Sequence, residues 1–366
     1  MKNICFFNSV NFWGGGEKLH LEYALEFKKK NYQVILASKK NSPISNQAGI
    51  NNLETFPVSV GNFSFLNVFK IIKLIIFYKK FNIDTVIFSA SPDLKLGGIS
   101  AKLAGVKKIV YLRGLAVPIK YSLINHFVFK SILTHIVANS DETNRTILKN
   151  LRPYVEEKNV KTIYHGIEIN NTKNADSEML DAIKKNARGI VLGNAGRLTL
   201  QKGQLHLIEV AKKLKQNNLE FTLFIAGTGE MQAELDALIK QYNLQTDVFL
   251  LGFVKDMEKF MNSIDIFLLS SVWEGFGYVL VEAMAKSKPV VAFNLSSNPE
   301  IVDSEKTGFL VKYPDLDMFY EKTKMLIENQ SLRKKMGEAG RERVLNHFEL
   351  SERITEFENY LLGKSF

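Results

Sequence analysis

The segment Glu274-Gly-Phe-Gly-Tyr-Val-Leu-Val-Glu282 places two carboxylates eight residues apart around a glycine-flanked aromatic. Upstream, Asp265-Ile-Phe-Leu-Leu-Ser-Ser271 is an apolar run of strand length. Downstream, the residues to Lys286 have helix-forming composition, so Glu274 to Gly277 is a strand-to-helix turn. Gly275 and Gly277 permit backbone conformations closed to other residues and allow close approach to the main chain. Such a turn aims the N–H groups of Phe276, Gly277, Tyr278 and Val279 out of a helix amino terminus, a ready site for phosphate. Glu274 lies beside that site. Glu282, more than one helical turn in, suits a carboxylate accepting two hydrogen bonds from a vicinal diol such as ribose. Helix-dipole preference alone explains neither the glycines nor an acid as far along as Glu282.

Outward from this turn, apolar runs of strand length alternate with longer amphipathic segments, which predicts parallel sheets covered by helices. In the first half the strand candidates are Asn3 to Asn8, Gln33 to Ala37, Thr85 to Phe88, Lys108 to Leu112, His135 to Asn139 and Lys161 to Tyr164. In the second they are Ile190 to Asn194, Thr222 to Ala226, Val248 to Leu251, Asp265 to Leu269 and Pro289 to Ala292. Two such series in 366 residues suit two domains, each with its own core. The polar segment Glu168 to Lys185 reads as the linker.

Three more glycine turns follow strand candidates. Asn194-Ala-Gly196-Arg197-Leu-Thr-Leu-Gln-Lys202-Gly203 precedes a helix starting near Gln204. Its two cations can clamp a diphosphate, Arg197 bidentately and Lys202 as a point charge, and stabilise charge on a leaving group. Trp13-Gly14-Gly15-Gly16-Glu17 separates the first strand from the first helix and suggests close backbone approach to a ligand. It lacks the spacing of a dinucleotide fingerprint. Ile225-Ala-Gly227-Thr-Gly229 reads as backbone geometry.

The segment Ser270 to Val302, with Glu274, Phe276, Gly277, Glu282, Ala283 and the strand Lys288-Pro-Val-Val-Ala292, resembles the donor-site signature of glycosyltransferase family 4. The resemblance extends over nearly the whole chain. It implies an α/β GT-B fold of two Rossmann-like domains facing across a cleft: residues 1–170 for the acceptor, 171–345 for the nucleotide-sugar donor, and a last helix from about 346 that packs back on the first domain. It implies a retaining transferase whose donor is a nucleoside-diphosphate sugar, a UDP-sugar first among them, with no metal and no cofactor. By the resemblance Glu274, Arg197 and Lys202 are catalytic. The implied donor residues are Gly14, Gly15, Gly16, Gly196, Phe253, Phe276, Gly277, Tyr278, Val279 and Glu282. Where many relatives carry a His-Gly pair, this chain has Arg113-Gly114. Arg113 cannot act as a base at neutral pH, and with Glu17 it is expected on the side of an anionic glycan or lipid-linked acceptor, as in bacterial surface polysaccharide or lipopolysaccharide synthesis. The loop Asn294 to Glu300 lacks the glycines that relatives often have there.

Charge and composition narrow the partners. Residues 1–170 carry 23 Lys and Arg against 11 Asp and Glu, a net of +12, so the remaining residues net −2 of the total +10. The first half is expected to face something anionic, such as a phosphorylated glycan or a membrane leaflet. Phe65 to Lys80 combines apolar residues with Lys70, Lys73, Lys79 and Lys80. It reads first as a core-covering helix with snorkelling lysines and second as a surface for an anionic membrane. Lys2 to Val10 mimics a signal peptide, but Asn8 and Asn11 interrupt it. No uncharged run approaches the roughly 18 residues that span a bilayer, and the single Cys5 fits a reducing compartment. A cytoplasmic protein, peripheral on the inner membrane face, is the expectation. The six histidines lack metal-ligand spacing, and Asp315-Leu-Asp317 reads as a helix cap. A sugar-nucleotide epimerase on the same fold remains an alternative. A nucleic-acid binder would explain the basic pI but leave the paired glutamates without purpose.

Overall fold

The computed structural model describes residues 2–151, 155, 159–169, 185 and 187–364. Most of the expected linker, 168–185, lies outside them. The chain divides into two compact units, residues 1–166 with 350–366, and residues 167–349. The unit boundaries fall at Gly166 and Glu349, where two segments of the chain are tied together. The N–H of Ile167 donates to the carbonyl of Phe348 at 2.9 Å, and Ile167 pairs with Glu349 in a parallel bridge.

Unit 1 holds a seven-stranded sheet of β1 (Asn3–Asn8), β2 (Gln33–Ser38), β3 (Glu54–Pro57), β4 (Thr85–Phe88), β5 (Lys108–Arg113), β6 (His135–Ala138) and β7 (Val160–Thr162). The order is β3-β2-β1-β4-β5-β6-β7, and every pairing is parallel. Unit 2 holds β8 (Ile190–Ala195), β9 (Phe221–Ala226), β10 (Val248–Gly252), β11 (Ile266–Leu269), β12 (Val290–Phe293) and β13 (Gly308–Val311), ordered β10-β9-β8-β11-β12-β13 and again parallel. All eleven expected strands are present, and the central ones, buried on both faces, read as unbroken apolar runs. The two unexpected ones, β3 and β13, are edge strands of four residues. β3 is largely exposed and so lacks an apolar signature.

In each sheet the strand order reverses once, between β1 and β4 and between β8 and β11. Loops at the carboxyl ends of strands flanking such a reversal diverge to opposite faces and leave a crevice where ligands bind. The glycine segments 14–16 and 196–203 and the turn 274–277 follow β1, β8 and β11.

Helix α1 (Gly15–Lys29) covers one face of the unit 1 sheet, and the helix Leu350–Leu362 packs on it. Phe357 meets Tyr23 at 5.6 Å and Phe27 at 6.0 Å between ring centroids. Leu350, Ile354, Phe357 and Leu361 are all buried, the face their helical spacing predicts. Helices α3 (Val68–Lys80) and α4 (Ser91–Ala104) pack on each other. α4 approaches the sheet closely because residue 97 is glycine: a Cβ there would lie 2.4 Å from the Phe88 ring. Asp315 caps the helix Leu316–Glu328 by accepting from the Met318 N–H at 2.8 Å. Among the described residues no helix is long and apolar enough to cross a membrane.

His20 and His165 are both buried in unit 1, His20 against the edge of Phe6 at 5.2 Å. Burial holds each imidazole neutral, with its pKa lowered to about 3. The unfolded chain takes up a proton near pH 6.5 that the folded chain refuses, so this stability is present above pH 6.5 and lost as pH falls toward 3. We expect urea unfolding to show about 2 kcal/mol lost per histidine between pH 7 and pH 5, and His20→Leu to remove one such share. A His20→Leu chain with the wild-type slope would contradict this assignment.

Candidate active site

Two loops meet at the carboxyl edge of β8 and β11. The first runs from Gly196 to Gly203 after β8, the second from Ser270 to Gly277 after β11. They are joined at successive residues: Ser270 Oγ donates to Lys202 O at 3.1 Å, Val272 N–H to Gln201 O at 2.8 Å, and Gln201 Nε2 to Trp273 O at 3.0 Å. Gly203 makes this approach possible. Its φ is +62°, and a Cβ would fall 2.3 Å from Ser270 O. A third loop supports the first from behind, where Cβ atoms at Gly227 and Gly229 would lie 1.9 Å from Gly196 O and 2.2 Å from Leu198 O. Those two glycines serve backbone packing, as read from the sequence.

Across this junction Lys202 Nζ donates to Glu274 Oε1 at 2.6 Å. The side chains are 16% and 7% exposed, so the pair is largely desolvated. The Lys202 stem runs over Gly196, where an added Cβ would meet its methylenes at 3.4–3.6 Å. Arg197 opens the same loop with an exposed side chain that forms no ion pair among the described residues. Its carbonyl is fixed by Gln204 Nε2 at 3.1 Å. Around these groups sit buried polar atoms with no protein partner: Asn194 Oδ1, Thr199 Oγ1, Gln204 Oε1, Ser271 Oγ and Asn298 Oδ1. Unsatisfied buried groups are costly, and these five, Asn194 on β8, Thr199 and Ser271 in the two loops, and Gln204 and Asn298 at the starts of the helices Gln204–Gln216 and Asn298–Ile301, are candidates to meet a polar ligand or water. Their unsatisfied state was not legible in the sequence, because polar residues at strand ends, in loops and at helix starts carry no periodic signal.

The turn Glu274–Gly277 leads into the helix Tyr278–Ala285, and one expectation about it is corrected. Gly277 has φ −75° and ψ 63°, an inverse γ-turn, which directs the Tyr278 N–H to Phe276 O at 2.8 Å. The Tyr278 amide is therefore spent internally. Val279, next in the helix, keeps an N–H without an intrahelical acceptor. The requirement for glycine at 277 is also internal, since a Cβ would meet Leu280 Cδ1 at 2.9 Å and Asn298 Oδ1 at 3.2 Å. Phe276 is buried against Phe348 at 5.8 Å, and Glu282 lies half-buried in the second turn of the helix. Phe253, just past β10, is 68% exposed and presents a bare ring.

In unit 1 the loop after β1 lies at the other strand-order reversal. Side chains at Gly15 or Gly16 would meet nothing within 4 Å, so the protein's own packing makes no demand for glycine there. The Glu17 carboxylate lies 3.2 Å from where a Gly14 Cβ would sit. Arg113 is turned inward rather than toward an acceptor. Its guanidinium donates to Leu115 O at 3.1 Å, Tyr111 Oη at 3.0 Å and Val117 O at 2.9 Å, because a buried guanidinium must satisfy its donors locally. Asp93, unnoticed in the sequence because an acid at a helix start is ordinary, is 1% exposed. It accepts from Ser9 N at 2.8 Å and from Ser9 Oγ, fixing the loop after β1 to the start of α4. Burial raises its carboxyl pKa to about 6 against the opposing pull of those hydrogen bonds.

Removing one partner of a buried ion pair leaves the other charge uncompensated. We therefore expect Lys202→Met to lower stability by about 2–4 kcal/mol and Lys202→Met with Glu274→Gln to recover much of that loss. A urea double-mutant cycle measures it, and a Lys202→Met chain as stable as wild type would show that the pair does not hold the two loops.

Models of two protein families match the chain: glycosyl transferases group 1 over residues 176–343 and glycosyl transferase 4-like over residues 3–145. The Escherichia coli UDP-Gal:alpha-D-GlcNAc-diphosphoundecaprenol alpha-1,3-galactosyltransferase is 26% identical over 94% of this chain and 92% of its own length. The Campylobacter jejuni N-acetylgalactosamine-N,N'-diacetylbacillosaminyl-diphospho-undecaprenol 4-alpha-N-acetylgalactosaminyltransferase is 30% identical over 58% of this chain and 57% of its own. Among solved structures, Anabaena Alr3699/HepE in complex with UDP-glucose superposes with a TM-score of 0.86 at 20% identity, covering 99% of this chain and 100% of that one. A glycosyltransferase from Rickettsia africae gives a TM-score of 0.86 at 21% identity, over 100% and 99%. These likenesses establish the GT-B fold.

Proposed function

The chain belongs to the group 1, family 4 glycosyl transferases, and from that premise we propose that it moves a hexose from a UDP-sugar to a glycan carried on a polyprenyl diphosphate, with retention of anomeric configuration. The observation that carries the donor half is the Lys202–Glu274 pair at the strand-order reversal of unit 2. The acceptor class follows the E. coli and C. jejuni relatives, whose names specify diphosphoundecaprenol-linked sugars. It suits the net charge of +12 in the first 170 residues. Linkage supports retention: those names specify alpha products, and the common UDP-hexoses carry the sugar in the α configuration.

In this reading the bond between the sugar C1 and the diphosphate oxygen breaks as the acceptor oxygen bonds to C1. The acceptor proton passes to the departing phosphate, which takes the bond's electron pair. Lys202 and Arg197 stabilise the charge gathering on UDP, the electrostatic part of catalysis, and do so without a metal. Glu274 orients the Lys202 ammonium and faces the developing positive charge at C1. Glu282 binds the ribose diol, Phe253 offers its ring to the base, and the Val279 N–H meets phosphate.

Thermal-shift screening across nucleoside diphosphates and their sugars tests the donor, since selective binding raises the melting temperature. We expect UDP to stabilise the chain selectively and Glu282→Ala to weaken UDP binding about tenfold, roughly 1.4 kcal/mol. With an acceptor glycan on a polyprenyl diphosphate, Lys202→Ala and Glu274→Ala should each reduce kcat/KM by about a hundredfold or more, and EDTA should leave transfer unchanged. A fully active Lys202→Ala enzyme, or no stabilisation by any nucleotide, would refute the assignment.

A further inference from the structure

The outward face of α3 is apolar. Helix α3 buries Leu74, Phe77 and Tyr78 against the unit 1 core, as a core-covering helix should, yet its opposite side exposes Phe69, Ile72 and Ile76 at spacings of three and four. Phe63 and Leu66, in the turn that leads into it, are 76% and 67% exposed, and Phe69 is 84% exposed. Of the 19 large apolar side chains exposed among the described residues, 12 lie between Phe63 and Phe127. Six of them, Phe63, Leu66, Val68, Phe69, Ile72 and Ile76, belong to α3 and the turn before it. The helix α4 packs on α3, on the turn Ser64–Leu66 and on the turn Val128–Ile132, and Leu123 and Phe127, just before that last turn, are also exposed.

Charge identifies what covers this face. Between residues 55 and 140 the sequence has 11 lysines and arginines and two acids, Asp84 and Asp93. Asp93 is buried, and Asp84 is bound by the N–H groups of Lys2 and Asn3. Lys70, Lys73, Lys79 and Lys80 form no ion pair among the described residues. Lys70 donates to Ser59 O and Ser64 Oγ, while Lys73 and Lys80 sit over Phe56 and Phe81. Large apolar side chains ringed by uncompensated lysines match the boundary of an anionic bilayer, where the rings enter the acyl region and the ammonium groups meet headgroup phosphates.

We propose that the α3 face of unit 1, centred on Phe69, Ile72 and Ile76, docks this chain onto an anionic lipid surface. The proposal gives the glycosyl-transfer reading its access to a polyprenyl-linked acceptor, and vesicle binding is measured without donor or acceptor, so either can fail alone. The full chain is sedimented with vesicles of phosphatidylglycerol and phosphatidylethanolamine and with vesicles of phosphatidylcholine alone. We expect the anionic vesicles to be bound and the neutral ones bound at least tenfold less. Phe69→Gln/Ile72→Gln/Ile76→Gln should lower partitioning at least tenfold with an unchanged melting temperature, and Lys73→Gln/Lys79→Gln/Lys80→Gln should erase the anionic preference. The proposal is overturned by a wild-type chain that stays in the supernatant with anionic vesicles or by a triple apolar variant that binds as well as wild type. It is also overturned by a wild-type dimer in solution that the apolar substitutions dissolve.

Discussion

The ion pair between Lys202 and Glu274 is the constraint on which the second unit's functional edge depends. It joins residues 72 positions apart in sequence, closes the junction of the loops after β8 and β11, and does so where the strand order reverses. Mutual attraction in a desolvated site offsets the cost of burying two charges only with good geometry and neighbouring hydrogen bonds. Here the neighbours are the Ser270, Val272 and Gln201 bonds. Glycine at 203 lets the two backbones come within reach. A lysine held this way is preorganised: its ammonium is fixed before ligand arrives, and little reorganisation is needed when charge develops beside it.

Much of this was legible in the sequence, for identifiable reasons. Parallel strands in the middle of a covered sheet must be apolar on both sides, so β1, β4, β8 and β11 announced themselves. The four-residue edge strands β3 and β13 did not: β3 is largely exposed, and β13 offers a run of only three apolar residues after Gly308. Glycine turns after strands located the loops, and the carboxylates of Glu274 and Glu282 stood out because acids seldom follow an apolar run without purpose. What pattern reading could not give was direction. The Tyr278 amide turns back into an inverse γ-turn, and Arg113 spends its guanidinium on the Leu115 and Val117 carbonyls; both depend on tertiary geometry. Asp93 was hidden for the opposite reason, since its position is ordinary and only its burial against Ser9 sets it apart.

Unit 1 shows how one helix meets two requirements. Periodicity marks apolar positions, but not what lies against them, so the residues of α3 read first as core. Its buried stripe closes the core with Ile71 packed against it, while Phe69, Ile72 and Ile76 stay exposed among the described residues. The same half of the chain holds the excess positive charge. Sequence asymmetry and surface chemistry therefore converge on one face, while Arg197, Lys202, Glu274 and Glu282, the groups proposed to hold the donor, belong to the other unit.

Hydrogen–deuterium exchange of the full chain with and without UDP tests the central claim most directly. The account predicts slowed exchange within unit 2 concentrated in two segments, 196–204 and 274–282, because nucleotide bound there would order both loops around the Lys202–Glu274 pair. Protection confined to other parts of unit 2, or none in either segment at saturating UDP, would contradict it.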